Sequence, residues 1–153
     1  MKKYLLLITL FIAVLTSCKK DPAFDPVKQA ATDDAAIQAY MSANSITATK
    51  DASGVYYHVI TAGTGNYPTA NSLISCAYSG KLLNGTVFDS GNISSTALSS
   101  FVKGWQIGIP HINTGGRLLL IVPSALGYGN KANGSIPANS VLIFTIDLTG
   151  FSN

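Results

Sequence analysis

The sequence predicts a single α+β domain, and three observations predict it. Period-two alternation, the mark of strands with one buried face, recurs at 54–60, 73–83 and 141–148. A nearly continuous apolar run at 117–122 reads as a central strand covered on both faces. Between the strands only 102–109 suits a helix. Runs of strands with one short covering helix argue for α+β, not for alternating βαβ units.

The chain opens with an export signal. Lys2 and Lys3 form a positive start, and 5–15 is an apolar run too short to span a bilayer comfortably. It ends in Leu15-Thr16-Ser17-Cys18, which resembles the bacterial lipobox. Cleavage after Ser17 would leave Cys18 as a lipid-bearing N-terminus. Buried acyl chain is worth about 0.8 kcal/mol per methylene, so more than one chain anchors durably. These residues predict a leader at 1–17 and a protein of the bacterial cell envelope, held to a membrane through lipidated Cys18. Residues 18–32 are polar and proline-bearing with alternating charge. They predict a flexible tether.

Without the leader about 135 residues remain, enough for one domain with a normal core. Residues 33–43 predict a short helix, capped by Thr32 or Asp33, with Ala36, Ile37 and Tyr40 as its apolar face. It belongs to an extension at 33–53 that precedes the main domain at 54–153. The first strand, 54–60, is broken by Gly63-Thr64-Gly65 and Pro68. The second, 73–83, meets the hairpin signal Asn84-Gly85 and continues into Thr86-Val87-Phe88. Along the last strand Leu142, Phe144, Ile146 and Leu148 share a face.

Several function classes are excluded. Lys81, Lys103, Arg117 and Lys131 are isolated, so the chain has no electrostatic footprint for nucleic acid. Gly63-Thr64-Gly65 lacks the helix and acidic partner of a dinucleotide site. Cys76 alternates with Ile74 and Tyr78 on one face, a core position rather than that of a nucleophile.

Aromatic residues are spread through the second half in contexts rich in turn residues: Tyr78, Phe88, Trp105, Tyr128 and Phe144. Rings at strand ends and on loops converge on a cleft that binds something apolar with a polar handle. Asp89 follows Phe88 at the end of a strand. A carboxylate beside aromatics needs a hydrogen bond, and the Tyr78 hydroxyl is the expected donor.

The motifs in their order resemble the FKBP-type peptidyl-prolyl cis-trans isomerases. The run is Tyr78-Ser79-Gly80, Gly85, Phe88-Asp89-Ser90, then Val102-Lys103-Gly104-Trp105 with Gly108. Gly115-Gly116-Arg117, Pro123, Gly127-Tyr128-Gly129, Ile136-Pro137 and Leu142-Ile143-Phe144 complete it. The resemblance covers 54–151. It implies a strongly curved antiparallel sheet wrapped around one short helix. It also implies a monomer that needs no cofactor or metal, acting on proline-containing exported polypeptides.

By the same resemblance Trp105 is the floor under the proline ring, and Tyr78, Phe88 and Phe144 are walls. Val102 offers a backbone N–H, Ile136 a backbone contact and an apolar lip, and Tyr128 a hydroxyl to a substrate carbonyl. With Asp89, Trp105 and Tyr128 form the catalytic set. The stretch from Phe88 to Trp105 is shorter than in small members of the family and lacks their arginine. Its further pocket phenylalanine has a counterpart only if Leu98 or Phe101 substitutes, and Asn133 stands where many members have histidine. Weaker catalysis and weaker affinity for macrolide inhibitors are expected. Two readings stay open: an isomerase, or a non-catalytic module that holds proline-containing segments as a chaperone.

Overall fold

The structure, a computed structural model, describes residues 24–153. The expected leader, Cys18 and the tether up to residue 23 lie outside the described residues.

Helix α1 spans Pro26–Ala43, so it starts well before the expected 33. Neither Thr32 nor Asp33 caps it. Asp25 does: its Oδ1 accepts from the N–H groups of Val27 (3.0 Å) and Lys28 (3.1 Å). Pro26 follows in the first turn, where its missing N–H costs nothing. Residues 26–32 therefore belong to the helix and not to a tether. Most of α1 faces water. Only Asp33 and Ile37 are fully buried.

Six antiparallel strands follow in one sheet: β1 Thr49–Lys50, β2 Tyr56–Thr61, β3 Leu73–Leu82, β4 Val87–Ala97, β5 Arg117–Val122 and β6 Leu142–Ser152. Their spatial order is β1-β2-β5-β6-β3-β4. The central strand β6 pairs with β5 through Leu120↔Phe144 and with β3 through Gly80↔Phe144. Strand β4 runs on to Ala97, far beyond the expected Phe88. Asp89 thus sits inside a strand and not at its end.

Strand β5 is covered on both faces, as its apolar run predicts. Leu118, Leu120 and Val122 join Ile74, Cys76, Leu142, Phe144, Ile146 and Leu148 in the main core, beneath the short helix α2, Lys103–Gly108. Ile121 and Ile143 point the other way and pack with Ile37 of α1 and with Tyr56. Each such side chain contributes about 1.5–3 kcal/mol through burial. Helix α2 can lie against β5 because Gly104 has no side chain. A Cβ there would run into Val122.

On the α1 side Asp34 accepts from the Tyr56 hydroxyl at 2.7 Å and pairs with Lys50. The Lys50 contact, aided by Tyr56, holds the Asp34 carboxyl below the usual carboxylate value. This ties α1 to β1 and β2 at their outer edge.

Candidate active site

The register of β3 and β4 builds one wall of a cleft. Gly80 pairs with Asp89, but Lys81 pairs with Val87, so Phe88 is an extra residue on β4. In an unbroken strand Phe88 and Asp89 would point to opposite faces. The bulge turns both toward the cleft, which is how bulges re-aim side chains. Gly80 supplies the space. A Cβ there would lie 2.6 Å from the Phe88 ring and 3.0 Å from the Phe144 ring.

Trp105, 2 % exposed, projects from α2 to form the floor of a cleft of about 260 Å³. Tyr78 and Phe144 meet its ring edge-on, with centroids at 5.2 and 5.3 Å, and Phe88 meets Phe144 edge-on at 5.6 Å. These are favourable quadrupole geometries. The indole Nε1 is buried and has no hydrogen-bond partner among the described residues. A tryptophan serving only as core filling would normally have that N–H paired.

Phe101 stacks on the Trp105 ring at 4.9 Å, nearly parallel at 22°. It lines the cleft, whereas Leu98 is fully buried, so of the two only Phe101 offers its side chain to the cleft. Ser100, also in the lining, was missed. Its neighbours Ser99, Ser95 and Ser94 look the same in sequence, and nothing local marks it out.

The expected Tyr78–Asp89 hydrogen bond is present, with Oη donating to Oδ2 at 2.6 Å. That bond, reinforced by burial, pushes the Tyr78 hydroxyl up to about 12. Among the described residues that line the cleft, Asp89 alone has a side chain of a charged type. Tyr128, 41 % exposed, stands at the mouth. Val102 precedes α2, and its carbonyl accepts from Trp105 N–H at 3.0 Å. Its own N–H has no backbone partner among the described residues.

Ile136 is not where the sequence reading has it. It is buried in the main core, and its N–H and C=O both bond to Asn133, at 2.9 Å each. That two-way bridge occupies the N–H and one lone pair of the carbonyl, and Ile136 is not among the residues lining the cleft.

Among the described residues no cluster of His, Cys, Asp or Glu could hold a metal. Cys76 is buried, and burial pushes its thiol up to about 11, far from a nucleophile's range. The arrangement suits binding and distorting a small apolar ring rather than forming a covalent bond.

The family model for FKBP-type peptidyl-prolyl cis-trans isomerases matches residues 65–149, more than half of the chain. The chain belongs to this family. Its FKBP-type relatives include the isomerase FkpA of Buchnera aphidicola subsp. Schizaphis graminum, 41% identical over 109 residues, covering 68% of this chain and 43% of that protein. The isomerase Mip of Coxiella burnetii is 40% identical over 102 residues, covering 63% and 44%. The crystal structure of FkpA from Escherichia coli superposes with a TM-score of 0.71 at 28% identity, covering 82% of this chain and 62% of that one. The chain thus spans about two fifths of the length of the curated FKBP-type relatives it matches. All nine residues lining the cleft fall inside the matched range, whereas α1 lies upstream of it.

Proposed function

We propose that this chain is a peptidyl-prolyl cis-trans isomerase acting on X-Pro bonds of exported polypeptides. The observation that carries it is the aromatic-walled cleft over Trp105, edged by a held carboxylate and the partly exposed Tyr128. Isomerisation must overcome a barrier of about 18–20 kcal/mol that arises from amide resonance. No bond forms or breaks beyond that rotation, so a catalyst has only to bind the twisted amide better than either planar form.

The cleft offers three means. The Trp105 face and the Phe88 and Phe144 edges strip water from the prolyl ring and its amide. Planar amides have more charge separation than twisted ones, so they lose more by leaving water. In this reading the Tyr128 hydroxyl and the Val102 N–H donate to carbonyls on either side of the bond, fixing the chain while the amide turns. In the twisted amide the carbonyl carbon loses electron donation from nitrogen, and the Asp89 carboxylate is its electrostatic complement. Macrolide inhibitors of the family would occupy the same cleft, and a monomer suffices.

We also propose that the protein is a lipid-anchored protein of the bacterial envelope. Leu15-Thr16-Ser17-Cys18, after a short apolar run, supports this.

The deciding assay is isomerisation of short X-Pro peptides by the full chain in non-ionic detergent. Saturable acceleration that Trp105→Ala weakens is expected. Binding of proline peptides with no acceleration in any of them would replace the enzyme with a proline-binding chaperone.

A further inference from the structure

Asp33 is a buried carboxylate, 2 % exposed, that the cleft does not use. It lies on α1, outside the residues that match the family. Its Oδ2 accepts from both the N–H (2.8 Å) and the Oγ (2.7 Å) of Ser124, itself buried, and its Oδ1 accepts from Gln29 Nε2 at 2.7 Å. Burying a carboxylate is costly, and these bonds are what make it tolerable.

Ser124 is the root of the segment that carries Tyr128. It opens the short helical turn Ser124–Leu126. Its carbonyl accepts from the N–H groups of Gly127 (3.0 Å) and Gly129 (2.8 Å), the two residues that flank Tyr128. The Gly129 carbonyl in turn accepts from Asn139 N–H at 2.8 Å. Tyr128 is 41 % exposed, so packing fixes it only in part. Its position is set by the backbone on either side, and that backbone hangs from Ser124.

The structure assigns Asp33 as a positioning residue: it clamps Ser124 and thereby fixes the Tyr128 hydroxyl at the mouth of the cleft from the opposite face of the sheet. The assignment rests on the reading of Tyr128 as a donor to substrate. Removing the carboxylate strands a buried N–H and a buried hydroxyl on Ser124, and the loop root must shift to satisfy them.

The test compares full-length Asp33→Ala, Asp33→Asn and Ile37→Ala, each alone and with Tyr128→Phe. Ile37→Ala is the control, because it loosens α1 and leaves the Asp33–Ser124 hydrogen bonds in place. At a temperature where all are folded, Asp33→Ala should lower kcat/KM by about tenfold. Asp33→Asn keeps an acceptor oxygen and should recover part of the loss. Ile37→Ala should lower Tm and leave kcat/KM near wild type. On the Tyr128→Phe background Asp33→Ala should cost nothing more. Amide exchange at Gly127 and Gly129 should quicken in Asp33→Ala and not in Ile37→Ala.

An Asp33→Ala enzyme with wild-type kcat/KM, or one whose loss persists in full without the Tyr128 hydroxyl, overturns the assignment. If Asp33→Ala does not fold, Ser124→Ala carries the same comparison. It removes only the hydroxyl and should cost about threefold, again only when Tyr128 is present. A wild-type chain with no isomerase activity would remove the catalytic reading instead. The exchange measurement then decides the clamp alone, and unchanged Gly127 and Gly129 protection in Asp33→Ala overturns it.

Discussion

The Tyr78 hydroxyl donates to Asp89 diagonally across the β3–β4 ladder, since Tyr78 pairs with Gly91 and Asp89 with Gly80. The pair joins a wall of the cleft to its charge. Asp89→Val should lower kcat/KM by about tenfold, and Tyr78→Phe by a few-fold. Because each acts through the other, the double variant should be no worse than Asp89→Val alone. Fully additive losses in the cycle would show that the two work independently.

The same bond has a pH signature. The Tyr78 value is raised from 10.0 to about 12 in the folded chain. A raised folded-state value means that the contribution to stability is complete below pH 10 and is lost as pH climbs through 10 toward 12. Denaturation midpoints of wild type and Tyr78→Phe should therefore stay a constant distance apart from pH 7 to 9, then converge in alkali. Convergence beginning below pH 9 would contradict the assignment.

Gly80→Ala tests the space behind the wall. Its Cβ would press on the Phe88 ring at 2.6 Å, and that ring can escape only by swinging away from Phe144. Overpacking of this kind costs about 1–3 kcal/mol. Urea unfolding should show a loss in that range, while kcat/KM falls further than stability alone explains. A variant with unchanged turnover would mean that the Phe88 edge is dispensable.

Ile136 should behave as core. Ile136→Ala should cost about 2–5 kcal/mol of stability, read by denaturant midpoint, with little change in KM for X-Pro peptides measured where the variant is folded. A large KM effect without loss of stability would restore it to the cleft.

Cys18 decides the anchor. In a Gram-negative host the wild-type chain should partition with membranes and into a detergent phase, and Cys18→Ser should be released or left unprocessed. Mass spectrometry of the mature N-terminus should find acylated Cys18. An unmodified cysteine, or cleavage elsewhere, would falsify the lipoprotein reading.

What was legible in the sequence was mostly periodicity and order. Alternation located β2, β3 and β6, and the unbroken apolar run correctly marked β5 as covered twice. Trp105, Tyr78, Phe88, Phe144, Tyr128 and Asp89 were all legible as cleft residues, several because they sit beside turn residues and all through the order of the motifs that carry them. The failures have separate physical causes. The start of α1 was hidden because the helix needs almost no apolar stripe: a charged residue, Asp33, does part of the docking. The Asp25-Pro26 pair was the available signal. Strand β4 was hidden because its Ser-rich stretch is an edge with little burial to pattern. The bridge between Ile136 and Asn133 was hidden because a backbone's choice of partner leaves no trace in side-chain chemistry.

The extra residue at Phe88 makes the cleft a matter of counting as much as of composition. Deleting Val87 or inserting a residue before Asp89 would keep every aromatic and the carboxylate in the chain. Either change would restore or shift the plain ladder and turn the ring or the acid to the far side of the sheet. Length changes at this hairpin should therefore be far less tolerated than substitutions at the same positions. Chains that share all the site's letters but differ by one residue between Gly80 and Asp89 should not be assumed to share its activity.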